Sequence, residues 1–153
     1  MMILVYFATF ALFSVIFTRE VIAPASRAKC DKRWRLYAGS LNALNLIVVV
    51  AAGVLFQSWI AGHSVFKLEG RIDPVSGGLL TFVTASFFAY WYHRLIHKSD
   101  HLWRWVHQLH HSPTRIEALT AFYIHPLDGL MATLLNAAVA YGLLGVGPVA
   151  AAI

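Results

Sequence analysis

The run Phe87-Phe88-Ala89-Tyr90-Trp91-Tyr92-His93-Arg94-Leu95-Ile96-His97 decides how the rest of the chain is read. It closes a long uncharged stretch with an aromatic belt, then sets two histidines four residues apart. Tyr and Trp gather where a membrane span meets water. Residues four apart on a helix lie one above the other on the same face. The run therefore predicts a helix that leaves the bilayer carrying two imidazoles side by side. Shortly after it, His107-Gln108-Leu109-His110-His111 offers three more at helical spacing.

Outward from this run the composition agrees. Of the 153 residues, 59% are hydrophobic and 12% charged, against roughly 45–50% and about 25% in a soluble domain. The expected fold is all-α: an integral membrane four-helix bundle forming a single membrane domain over residues 1–153. Its spans are expected at about 1–18, 39–62, 77–97 and 129–150. An amphipathic helix on the cytoplasmic face is expected to carry the histidine motifs within the segment 93–125. The first apolar run is read as a span rather than a signal peptide, because no Lys or Arg precedes it. Asn42 and Asn45 share a face of the second span and are expected to make interhelical hydrogen bonds. Asp73-Pro74 breaks the chain before the third. Gly142, Gly145, Gly147 and Pro148 weaken the second half of the fourth, whose polar member is Asn136.

The formal net charge of +5 is read as topology. Arg19, Arg27, Lys29, Lys32, Arg33 and Arg35 crowd one loop against Glu20 and Asp31, which marks that loop as cytoplasmic. The loop 63–76 has no charge bias. The third span then delivers its histidines to the cytoplasmic face. No basic stripe alternates with exposed aromatics in a polar domain, which argues against nucleic acid as a partner. Cys30 is the single cysteine, so no intrachain disulfide forms. A free thiol is expected there rather than a catalytic or palmitoylated one.

Five histidines at these spacings point to a transition metal. Iron in oxygen-activating sites accepts imidazole and carboxylate ligands and needs open positions. A zinc peptidase would need glutamate where Arg94 stands. Haem would take single histidines deep in a bundle. A metal transporter would place polar ligands near mid-membrane on several helices, whereas these imidazoles gather at one rim. His101 continues the His93, His97 stripe, and a surface role is favoured over ligation. His63 stands alone in the outer loop. In His125-Pro126-Leu127-Asp128, the proline biases His125 away from the helical region, so a bend turns His125 back toward the cluster. Asp128 either holds an imidazole tautomer or caps the fourth helix.

Together, Tyr90 to His97, Leu102-Trp103, His107 to Ser112 and His125 to Asp128 resemble the sterol desaturase and fatty acid hydroxylase superfamily. The Arg19-Glu20, Pro24 and Arg33-Trp34 region is also similar to the start of bacterial members. The resemblance runs from about Arg19 to Gly147. It implies a membrane-bound, non-haem diiron oxidoreductase that uses dioxygen and two electrons to hydroxylate or desaturate a fatty acyl or sterol-like lipid. By motif position it implies His93, His97, His107, His110, His111 and His125 as metal ligands. The chain carries no dinucleotide fingerprint, so electrons are expected from a separate donor protein of the ferredoxin or cytochrome type. Ser86 stands where many members of the family have an aspartate. The family also expects a third cluster, His-x-x-His-His, beyond the fourth span. The chain is accordingly expected to be a truncated member with an incomplete diiron site. The competing expectation is an inactive histidine-motif membrane protein that binds metal or a partner without turnover.

Overall fold

The computed structural model describes residues 2–24, 26, 28 and 30–153. Arg27 and Lys29 of the basic loop lie outside the described residues. Among the described residues the regular elements are all helical: α1 (Met2–Ile22), α2 (Lys32–Gly62), α3 (Pro74–Lys98), α4 (Asp100–Leu102), α5 (Pro126–Ala137) and α6 (Pro148–Ala151).

Short polar side chains start these helices. Asp31 accepts from the amide of Trp34 at 2.7 Å and opens α2. Asp73 accepts from the amides of Val75 and Ser76, each at 3.0 Å, and Pro74 supplies a preset φ in the first turn of α3. α5 continues into π-helical turns at Ala138–Leu144 and stops at Gly145, whose φ is +63°. A Cβ there would also meet Ser64 Oγ at 1.9 Å. Glycine is thus required both for the left-handed backbone and for the space. The amides of Val65, Phe66, Leu68 and Glu69 donate to the carbonyls of Gly142, Leu143, Leu144 and Gly145 at 2.8–3.0 Å. This caps the end of a helix whose last carbonyls would otherwise go unpaired. The apolar run 129–150 is therefore not one helix: it ends at Leu144, and α6 restarts after the break.

α2 and the continuous helix 126–144 are each long and apolar enough to cross a membrane. The helix 126–144 is mostly half-buried or buried, whereas on α2 Leu46, Ile47, Val54 and Leu55 are exposed. That is an arrangement for lipid, not water, and it marks a membrane protein. α2, α3 and α5 with its continuation pack together, and α6 lies against α3. α1 meets the rest mainly at residues 118–120, where Glu20 Oε2 accepts from the amide of Ala118 at 2.7 Å. The packed core of the expected four-helix bundle is thus three helices. Leu4, Phe7, Phe10 and Val15 of α1 are exposed, as suits a helix apolar all round.

The segment 98–120 also departs from one amphipathic helix. Ser99 leaves the helical region, ends α3, and accepts from the amide of Leu102 to cap α4. A π-helical turn follows at Trp103–His107, closed by the amide of Gln108 on the carbonyl of Trp103 at 2.8 Å. Pro113 cannot extend a helix, and the chain runs irregularly to a 3₁₀ turn at Ala118–Thr120. Asn42 and Asn45 hold this irregular stretch. Asn42 Nδ2 donates to the carbonyl of Leu119 at 2.7 Å. Asn45, fully buried, donates to those of Ile124 at 3.0 Å and Phe122 at 3.3 Å. Both amides clasp a loop rather than a helix. Tyr123 packs beneath them on Ala38 and Leu41, with Trp34 stacked at 6.4 Å.

Candidate metal centre

α3 and the turn that follows α4 bring two histidine pairs face to face. His93 and His97 are one turn apart, with their Nε2 atoms 3.0 Å from each other. The Nε2 atoms of His107 and His111 are 3.2 Å apart. One ring nitrogen from each of the four falls within 4.8 Å of every other. Imidazole nitrogens ligate at ~2.0–2.1 Å, so two of them at a right angle on one ion stand ~3.0 Å apart. The spacing within each pair has that value. Four imidazoles converging on one centre are a donor set that suits a divalent transition metal.

His107 is the anchor. It is 3% exposed, while His93, His97 and His111 are open to the surface. Its Nδ1 donates to Asp128 Oδ2 at 2.7 Å, and Asp128 Oδ1 accepts from the Tyr92 hydroxyl at 3.0 Å. The carboxylate fixes the proton on Nδ1 and leaves the Nε2 lone pair free to ligate. Asp128 does not cap α5: that position belongs to His125, whose Nδ1 accepts from the amide of Leu127 at 3.2 Å. Of the two readings open for Asp128, the structure selects the tautomer-holding one.

The remaining histidines divide clearly. The ring of His110 is 5.2 Å from that of His107 and 6.4 Å from that of His93, beside the four but outside their common centre. His125 is engaged in capping, His101 is exposed, and His63 donates to the carbonyl of Trp59 at the far end of α2. Burial, then the neighbouring His107, lowers the pKa of both His110 and His111 below the ordinary histidine value. Both therefore stay neutral and able to ligate near pH 7.

Two contributors were not legible beforehand. Tyr92 precedes the first histidine, and nothing in the sequence pairs it with Asp128. Trp103 packs against His97 at 4.9 Å and His111 at 5.2 Å. The Leu102-Trp103 pair was part of the resemblance, but its contact with the two imidazoles was not.

Below the histidines lies a cavity of about 830 Å³ between α2, α3, α5 and α6. Leu46, Val50, Phe82, Leu134 and Ala140 give it an apolar wall. Ala89 also lines it, one turn before His93 on the same face of α3.

Residues 78–153 match the fatty acid hydroxylase family. The chain is 32% identical over 105 residues to the methylsterol monooxygenase 2-2 of Arabidopsis thaliana, covering 69% of this chain and 38% of that protein. It is 30% identical over 103 residues to the very-long-chain aldehyde decarbonylase GL1-9 of Oryza sativa subsp. japonica, covering 67% and 40%. No solved structure matches it significantly. The chain belongs to the sterol desaturase and fatty acid hydroxylase superfamily. It spans about two fifths of the length of these curated relatives.

Proposed function

We propose that this chain forms part of a membrane-bound, iron-dependent oxygenase that hydroxylates or desaturates a lipid. The convergence of four imidazole nitrogens within 4.8 Å, above an apolar cavity, carries this reading. His93, His97, His107 and His111 hold iron, and His110 faces a second position beside them. His125 is a ligand only after its ring leaves the amide of Leu127. Iron bound at this centre supplies the reduction of dioxygen and the oxidation of a C–H bond. The chain's own residues do the rest. Asp128 keeps the proton of His107 on Nδ1. Tyr92 holds Asp128 in place. The cavity orients an acyl or sterol-like tail and excludes water from it. Electrons come from a separate ferredoxin- or cytochrome-type protein. The histidine face is cytoplasmic, beside the basic loop, and four spans are proposed to cross the bilayer, α1 among them.

Anaerobic loading of the purified chain with ferrous iron tests the metal. Iron should be retained by the wild type and reduced in His93→Ala and His110→Ala, with membrane insertion intact. Zinc or no metal in the wild type, or full iron occupancy in both variants, overturns the reading.

A further inference from the structure

The cavity below the histidines is apolar except for a few side chains, and those differ in one respect. The hydroxyls of Thr81 and Thr133 donate to the carbonyls of Gly77 and Gly129 in their own helices, at 2.8 and 2.7 Å. Asn42 and Asn45 on α2 are outside the lining and are spent on the loop they clasp. Gln57 near the far end of α2, Ser86 on α3 and Asn136 on α5 also line the cavity, and among the described residues none of these side chains has a hydrogen-bond partner; Ser86 and Asn136 are the two nearer the histidines.

The two sit at matching depth. Ser86 is seven residues from His93 along α3, ~10 Å, and Asn136 is eight from Asp128 along α5, ~12 Å. His93 and Asp128 both belong to the metal end of the bundle. A hydroxyl and an amide thus face one space, two helical turns below the histidines. Both side chains are exposed, open to the cavity rather than enclosed by protein, and a ligand oxygen at that level would pair with the Asn136 amide. None of the cavity-lining side chains is charged, so the group that fits is neutral.

We infer that the cavity takes a lipid bearing a neutral hydroxyl or carbonyl oxygen within its chain, ~10–12 Å from the carbon presented to the metal, and that Ser86 and Asn136 read that oxygen. Asn136 Nδ2 donates to it, and a substrate hydroxyl donates in turn to the oxygen of Ser86 or Asn136. The charged headgroup stays outside at the membrane face. This rests on the oxygenase reading and narrows its substrate class to an internally oxygenated lipid.

The test uses the metal-free full chain in nanodiscs and displacement of a fluorescent fatty acid. The probes are stearic acid and hydroxystearic acid with its hydroxyl at mid-chain. Two hydrogen bonds predict about tenfold tighter binding of the hydroxylated probe. Asn136→Leu and Ser86→Ala, on different helices, should each shrink that preference while leaving stearic acid binding unchanged. Asn136→Gln should keep part of it. Equal affinity of the wild type for both probes, or a preference that survives in both variants, overturns the inference. Equal affinity together with oxidation of stearic acid by the iron-loaded protein leaves the oxygenase reading standing. Failure of the wild type to bind either probe overturns the inference without touching the iron measurement.

Discussion

At the residue scale, the site depends on one carboxylate. Asp128 receives Nδ1–H of His107 and the hydroxyl of Tyr92, so its charge fixes the tautomer of the buried imidazole. Asp128→Asn keeps the shape and removes the charge. Metal affinity should fall by about 10- to 100-fold, as for other residues that orient a ligating histidine. Tyr92→Phe should fall by less, since His107 keeps its acceptor. Metal titration followed by Co²⁺ absorption checks both, and an unchanged affinity in Asp128→Asn would remove the carboxylate from this role. The pH response has a definite sign. Burial and then His107 hold His110 and His111 below the ordinary value of 6.5, so below that pH the unfolded chain binds more protons than the folded one. Stability of the metal-free protein should therefore drop as pH falls from about 7.5 to about 5.5. Thermal melts across that range check it; a melting temperature that rises on acidification contradicts it.

At the scale of elements, α2 and the start of α5 meet at a close approach. A Cβ at Gly129 would stand 2.4 Å from Asn45 Oδ1, and Gly129 is the neighbour of Asp128. Gly129→Ala must displace the asparagine or the helix, costing roughly 1–3 kcal/mol. The cost should shrink in an Asn45→Ala background, where the clash is gone, as a double-mutant cycle on chemical denaturation would show. Equal costs in the two backgrounds would mean that the helices do not meet there. The pairing of Asn42 and Asn45 on one face was legible in the sequence, but their target was not. Spacing along one helix says nothing of what lies opposite, and here the partner carbonyls lie far along the chain, at Leu119, Phe122 and Ile124. The caps at Asp31 and Asp73 were nearer to hand, because a cap and its amides are local. The interruption at Ser99 was not: Ser99 ends one helix and begins the next.

At the scale of the whole molecule, orientation in the membrane is open to a direct test. Cys30 is the single cysteine, free and half-buried, with Arg35 Nε donating to its sulfur at 3.2 Å. With the basic loop inside, a membrane-impermeant maleimide should label Cys30 in inverted vesicles and not in right-side-out cells. The opposite pattern would place the histidines on the outer face. The all-helical class, two helices apolar and long enough to cross a bilayer, and the gathering of imidazoles after the aromatic belt were readable from the chain, because the bilayer imposes length and hydropathy on any sequence that crosses it. The selection among six candidate ligands was not readable. The tertiary structure converges His93, His97, His107 and His111, sets His110 beside them, and turns His125 to its own helix start. Sequence periodicity fixed which residues share a helical face. Which faces meet depends on the breaks at Ser99 and Gly145 and on the clasp of α2 over the loop before α5, and these are long-range packing choices that no local pattern encodes.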